Sequence, residues 1–541
     1  MGRGRRHLLP LGVLLTLAAG MGARNPLLTP DTTPIVPQVP SQDRHAPGRL
    51  FLERADSLVV SPTLPDVQVL VGNVTFRQGD MFMHCDSAVF FTSPALPADS
   101  MEAYGNIKME QGDTLFLYGD YMDYSGSQQL ATVYGEGRDV RLINRDVTLE
   151  APILRYSQLY DLGYYDSGGK LTDPNNELLS IEGEYAPPTK EANFYGNVRL
   201  RGVSNKGDSV WVYTDTLLYN TDTRIAELPV FSRILGKEGD IETTLGFFNT
   251  GENTAILLDR STVHTNRGNT LTGDSLVYDR ALGRGEAFGN MVLTDSARQV
   301  TLIGNYGYYD ERSDSAYCTG EALMLEHSKP DTLYLHGEVI RTFLAPDSSR
   351  LTVANPLVRF WRRDLQGVCD SLTFLEADST IHMDVDPVVW NENRQIFGRE
   401  IIVHMNDSTV DRADLPQTGF MAEHIEGDFF NQLSGKEMIA YFADGELRQL
   451  DVNGSVQAIM LPQENDSTYN KIANVESSFM VATFKGREIE RVKLWDETSG
   501  TVTPLYLAKR SLLRLPGFKW LAWRRPRGPE DIYEEPSEDR Q

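Results

Sequence analysis

Tyr195-Gly-Asn-Val198 and, a short stretch later, Asp208-Ser-Val-Trp-Val-Tyr-Thr-Asp-Thr-Leu-Leu-Tyr219 decide how this chain folds. In the second piece Val210 and Val212 fall on one face and Trp211 and Tyr213 on the other, the period-two pattern of a β-strand. Gly196-Asn197 and Gly207-Asp208 pair residue types that tolerate positive φ, so both are read as turns between strands.

The same design recurs along the chain. Asp215-Thr-Leu-Leu-Tyr219 is echoed by Asp86-Ser-Ala-Val-Phe90, Asp120-Tyr-Met-Asp-Tyr124, Asp274-Ser-Leu-Val-Tyr278 and Asp370-Ser-Leu-Thr-Phe374. Weaker copies start at Pro152, Glu184, Gly246, Asn305, Glu338, Arg399, Glu437 and Glu476. From Asp86 to Arg399 these anchors recur on average about every 31 residues. Gly72-Asn73, Gly105-Asn106, Gly196-Asn197, Gly289-Asn290 and Gly454-Ser455 open units. Each unit has room for three or four short strands, and long helical patterns are absent between residues 50 and 500. Units this small cannot bury a core alone and must stack. The expected fold is all-β: an elongated rod of about thirteen stacked units.

Positions two and four after each anchor share a strand face. They are apolar at Ala88/Phe90, Met122/Tyr124, Leu154/Tyr156, Leu217/Tyr219, Leu276/Tyr278, Leu372/Phe374, Ile401/Val403 and Ile439/Tyr441. Stacking turns them into an apolar stripe along the rod. The residues themselves allow two readings, a dry solenoid core or a lined groove that carries something greasy.

Composition narrows the function. The 541 residues carry a formal charge of −25, which argues against a nucleic-acid partner because phosphate binding needs clustered positive charge. Three cysteines rule out a disulfide scaffold. Cys85, Cys318 and Cys369 are expected as buried free thiols, with one bridge as the alternative. Arg3, Arg5 and Arg6, the apolar run Leu8–Ala19 and the small residues up to Ala23 read as a secretory signal peptide over 1–23, so the mature chain is expected to be exported. Residues 24–48 form a Pro-rich leader. The repeats divide into 49–235 and 236–508, and 509–541 is a tail of different character. Between 509 and 527 the tail holds Lys509, Arg510, Arg514, Lys519, Arg524, Arg525 and Arg527 with no acid among them, interleaved with Leu512, Leu513, Leu515, Phe518, Trp520, Leu521 and Trp523. Either it contacts a membrane surface, or it folds back and seals the last strands.

Enzyme readings do poorly. The histidines show no metal-ligand spacing. Gly163–Leu171 departs from a phosphate loop in spacing and lacks the Ser or Thr after Lys170. Ser167-Gly-Gly-Lys170 lacks the companion motifs of an acylating serine. A solenoid polysaccharide lyase would need a cluster of charged residues that no unit shows. No catalytic residue, metal or cofactor is expected.

The Gly-Asn-Val step, the polar turn and the Asp-x-Leu-x-Tyr strand resemble the OstA-like family. The clearest matches are Tyr195–Val198 with Thr214–Tyr219, and Phe288-Gly-Asn-Met291 with Gly273–Tyr278. The resemblance covers about residues 50 to 500. It implies a stacked β-jellyroll shaped like a folded taco, working in the periplasm, whose interior holds the acyl chains of lipopolysaccharide on its way to outer-membrane assembly. The implied trough lining is Phe90, Met122, Tyr124, Leu154, Tyr156, Leu217, Tyr219, Leu276, Tyr278, Leu372 and Phe374. The implied partners are lipopolysaccharide, other OstA-like jellyrolls joined by edge-strand addition, and the outer-membrane lipopolysaccharide translocon. The free N-terminal edge is placed at about Val69 to Phe91, where proline at Val71 or Val74 is expected to block docking without unfolding the protein. Two departures stand out: the chain is much longer than a single bridge protein, and it lacks the translocon's long C-terminal barrel. The rival reading is an exported structural or adhesin-like solenoid that carries no lipid.

Overall fold

The structure is a computed structural model that describes residues 49–92, 98–237, 239–328, 330–406, 409–443, 446–463, 468–486, 488–534 and 536. The chain divides into Met1–Ala46 and Pro47–Gln541, and the first unit lies outside the described residues, as do the expected signal peptide and leader. From Phe51 to Pro504 the described chain is almost entirely antiparallel strand, all of it in one hydrogen-bonded network.

That network runs as two ladders. Strand Leu115–Ser125 shows how they arise: residues 121–125 pair with Leu130–Tyr134, while residues 115–118 pair with Val140–Asn144. The first sheet begins at Ser57–Ser61 and ends at Glu488–Trp495; the second begins at Phe51–Arg54 and ends at Ser499–Pro504. The chain makes a hairpin in one sheet, crosses to the other, makes a hairpin there and crosses back. One repeat therefore supplies two strands to each sheet, and the cross-section is a V with a crossing edge and two rows of hairpin tips.

The Gly-Asn steps are not turns between strands, as the sequence suggested. They are bulges inside long strands at the point of crossing. In Glu191–Val203 the register against Ser209–Asn220 shifts between Tyr195 and Val198, and the same shift falls between Phe288 and Met291. Gly196 and Asn197 have φ of 77° and 49°, a left-handed pair that reverses which face of the strand points inward. The anchor aspartates hold these corners. Asp86, Asp56 and Asp274 accept hydrogen bonds from the side-chain amides of Asn106, Asn73 and Asn290 at 2.8, 2.7 and 2.6 Å. Asp215 accepts from the backbone N–H of Asn197 at 3.3 Å. Gly79-Asp80 and Gly112-Asp113, by contrast, are hairpin turns of the second sheet.

Asp56 starts a copy one unit before Asp86 that the sequence reading passed over, and four of the weaker anchors are displaced: the crossings read at Glu184, Gly246, Glu437 and Glu476 fall at Ile181, Thr244, Lys436 and Ser478. With the crossing at Lys436, Met438 and Ala440 face inward in place of Ile439 and Tyr441. The N-terminal edge is likewise one strand pair earlier than expected. Val71 is paired on both sides, to Ser57 and Ser87, and Val74 is 1% exposed, so neither is an edge position.

Cys85, Cys318 and Cys369 are free and buried, and burial pushes each thiol up to about 12. The tail beyond Pro504 forms short 3-10 turns and runs back along the outer face of the second sheet. It does not seal the last strands: Ser499 to Val502 remain exposed, as does much of Glu490 to Trp495.

Candidate functional site

The candidate site is the space between the two sheets. Its inner rows follow from strand alternation on either side of each bulge. In the first sheet the position four after the crossing carries Tyr124, Tyr156, Tyr185, Tyr219, Phe248, Tyr278 and Tyr309. Opposite these stand small residues: Ala131, Gly163, Ala192, Ala226, Ala255, Gly285 and Ala316. A Cβ on Gly285 would sit 3.0 Å from the ring of Tyr278 and 2.7 Å from Leu271, so the ring fills the space that the glycine leaves.

These tyrosines lie at the mouth of the V and tie its hairpin rows together. Tyr156 Oη donates to Gln111 Oε1 at 2.9 Å. Tyr185 Oη accepts from Asn144 at 2.9 Å, and Tyr309 Oη accepts from Asn269 at 2.9 Å. Tyr219 Oη donates to Asp173 at 2.6 Å and accepts from Asn176 at 2.7 Å. Tyr124 donates to Gln78. Arg280 donates to the carbonyl of Gly239 at 2.7 Å, and Arg298 pairs with Asp314 at 3.2 Å. Burial, reinforced by the carboxylate of Asp173, raises the Tyr219 hydroxyl above its ordinary pKa; burial and then Asp161 do the same for Tyr156. From about residue 78 to 314 the V is therefore closed, and its inner side chains are buried.

Beyond Tyr309 the tyrosine row stops. Its cross-strand continuation reads Thr342, Thr352, Phe374, Ile381, Val403 and Ala413. Of these Phe374, Ile381, Val403 and Ala413 are only half-buried, as are Phe442, Leu447 and Phe484 further on. The facing row of the second sheet behaves alike: Leu365, Val389, Ile396, Met421 and Val475 pack on the core but keep part of their surface. Below them Leu372, Met383, Leu415, Met438, Val452 and Met480 form a buried floor. Arg394 and Glu423, paired at 3.0 Å, sit on the second-sheet lip. The V thus opens into an apolar groove over the C-terminal part of the ladders.

All eleven sequence-predicted lining residues lie on the inner face, between 0% and 7% exposed except for half-buried Phe374. Phe90, Met122, Tyr124, Leu154, Tyr156, Leu217, Tyr219, Leu276 and Tyr278 belong to the closed part; Leu372 and Phe374 belong to the open one. Trp211 and Val277 face outward, 38% and 46% exposed. The sequence reading did not single out Ile381, Ala413, Phe442, Leu447, Phe484 or the second-sheet row. The available signal was the loss of tyrosine four residues after the crossing in every unit after Tyr309.

Residues 48–205 match the model of the family described as OstA-like protein. Over this stretch, less than a third of the chain, the protein is similar to that family. Its match covers the first units of the closed part, and the open groove lies beyond it. A solved structure, "Crystal structure of LptH, the LptA homologous periplasmic component of the conserved lipopolysaccharide transport device from Pseudomonas aeruginosa", is similar over 22% of this chain and 82% of that one, with 16% identity and a TM-score of 0.19. No curated protein matches the chain.

Proposed function

We propose that this protein is a periplasmic carrier of lipopolysaccharide that holds acyl chains between its sheets for outer-membrane assembly. The observation that supports this best is the change along one continuous interior. The apolar inner faces are closed by tyrosine ties up to about residue 314 and half-exposed on both sheets beyond Leu323. A long apolar groove open along its mouth suits several extended hydrocarbon chains better than a compact ligand, and its half-exposed side chains gain about 25 cal/mol per Å² when a chain covers them. In this reading the closed part is a spacer, and lipid enters it only where ties part.

The carrier docks end to end with other OstA-like jellyrolls, the outer-membrane translocon's among them. Supporting this, the N-terminal edge strand Ser57–Ser61 leaves Leu58, Val59 and Val60 at 49%, 57% and 43% exposure beside an unpaired backbone edge.

Photo-crosslinking in cells tests the lipid reading. A photoreactive residue at Ile381, Val403 or Phe442 captures lipopolysaccharide; one at Leu217 or Tyr219 captures much less, and one at Trp211 or Val277 none. Absence of capture from the open part overturns the carrier reading and leaves an exported structural solenoid.

A further inference from the structure

The tail has two sides with different chemistry. Toward the sheet its contacts are specified residue by residue. The side chain of Gln432 donates to Leu513 O at 2.8 Å and accepts from Leu515 N at 2.8 Å. Gln395 repeats the clamp six tail residues later, donating to Lys519 O at 3.0 Å and accepting from Leu521 N at 2.8 Å. Arg525 donates to the side chain of Gln366, and six residues on Asp531 O accepts from Arg359 at 3.2 Å. Phe518 meets the Phe430 ring edge-on and Trp520 packs against it at a tilt, and Leu521 packs against Val368, Val388 and Trp390. These contacts fix a basic, aromatic segment on the outside of the second sheet.

Arg514 and Arg525 are used in that seat, and Arg524 is half-buried. Arg514 lies 4.8 and 4.7 Å from the ring centres of Phe430 and Phe518, and Arg525 donates to Glu392 O at 2.6 Å. Lys509, Arg510, Lys519 and Arg527 are left exposed, with no ion pair among the described residues. Beside the first two stand Val502, Tyr506 and Leu507, 64%, 86% and 59% exposed. The contrast with the rest of the chain is sharp, because residues 24–508 carry 40 basic against 70 acidic groups.

We propose that this outward side of the tail is a docking surface for an anionic lipid membrane. An exposed tyrosine and leucine next to unpaired cations match the layer of the bilayer where headgroups meet acyl chains. Spread along the sheet, the four cations suit an extended charged surface better than a single phosphate. Each cation held near an anionic surface raises partitioning about fivefold, so the four together contribute several hundredfold.

Co-sedimentation of the purified protein with vesicles tests this. It pellets with vesicles of phosphatidylglycerol and phosphatidylcholine, stays in solution with phosphatidylcholine alone, and loses binding as salt rises past the point where surface charge is screened. The variant Lys509→Gln/Arg510→Gln/Lys519→Gln/Arg527→Gln binds several hundredfold more weakly with an unchanged melting temperature, since none of the four contributes a side-chain contact to the seat. Tyr506→Ser/Leu507→Ser weakens binding to the anionic vesicles at all salt concentrations. Equal binding by the quadruple variant, equal binding to both vesicle types, or no binding by the parent protein overturns the proposal; none of these results bears on lipid capture between the sheets.

Discussion

Removing one hydroxyl from the closed part measures what the tyrosine ties contribute. Tyr219 joins the two hairpin rows through Asp173 at 2.6 Å and Asn176 at 2.7 Å. Tyr219→Phe keeps the ring against Ala226 and creates no cavity, so the volume cost of a truncation does not enter. Asp173 keeps the backbone N–H groups of Asn175 and Asn176 at 2.9 and 2.8 Å, so its charge is not abandoned. Two bonds go with the hydroxyl, but the Asn176 amide keeps Asp173 at 3.0 Å, so the net loss is chiefly the buried hydrogen bond to a carboxylate, about 2 kcal/mol. A free-energy change of that size is about thirtyfold in a local opening equilibrium. Hydrogen exchange in the native state should show amides of Asn176–Ser180 and Ser209–Asn220 exchanging about thirtyfold faster, while strands beyond residue 324 keep the parent rates. Tyr213→Phe, on the outer face, is the control and should change nothing. Alkali supplies a second readout. The folded pKa of Tyr219 is raised, so its contribution is intact below the unfolded value of about 10 and is lost as pH rises above it. Parent protein should open at this site above pH ~10, and Tyr219→Phe should lack that increment. Unchanged exchange in the phenylalanine variant would refute the idea that the ties hold the sheets together.

Gly289→Ala places a Cβ 2.8 Å from the Asp274 carboxylate at φ 71°, and should cost about 2–3 kcal/mol in urea unfolding through left-handed strain and loss of the Asn290 tie. His336 is buried beneath the Tyr533 ring, 5.0 Å between centres, and its pKa is lowered chiefly by burial. Its neutral form is the one that fits, so the end of the tail should be held firmly above pH ~6.5 and loosen as pH falls below it, read by exchange at residues 529–534; tail protection that is flat from pH 8 to 5 would contradict this. Asp56 N–H donates to Gly72 O, and alternation then turns the Val59 N–H away from the neighbouring strand. Val59→Pro should abolish end-to-end association with another OstA-like jellyroll in cross-linking while leaving the melting temperature within a few degrees; proline at Val71 should unfold the first units.

Much of this protein was legible in its order of residues. Alternation around Val210 and Leu217 gave strands and their inward faces, and the recurring Asp with its Gly-Asn step gave the stacking period, because both are properties of short stretches of backbone. The corners were misread as turns because Gly-Asn at positive φ serves a tight turn and a bulge equally well; only the pairing of Tyr195 and Val198 with one continuous partner strand separates the two. Whether the interior is shut or open was out of reach for a similar reason. It depends on whether a tyrosine such as Tyr219 meets an amide such as Asn176, 43 positions away, and that encounter is set by how the two sheets close on each other. The tail shows the same limit from the other side. Its basic composition was plain, but which cations are spent on Phe430 and Gln366 and which remain free for a partner is fixed only when the chain returns along the second sheet, since a side chain's free charge depends on the neighbours that folding brings to it.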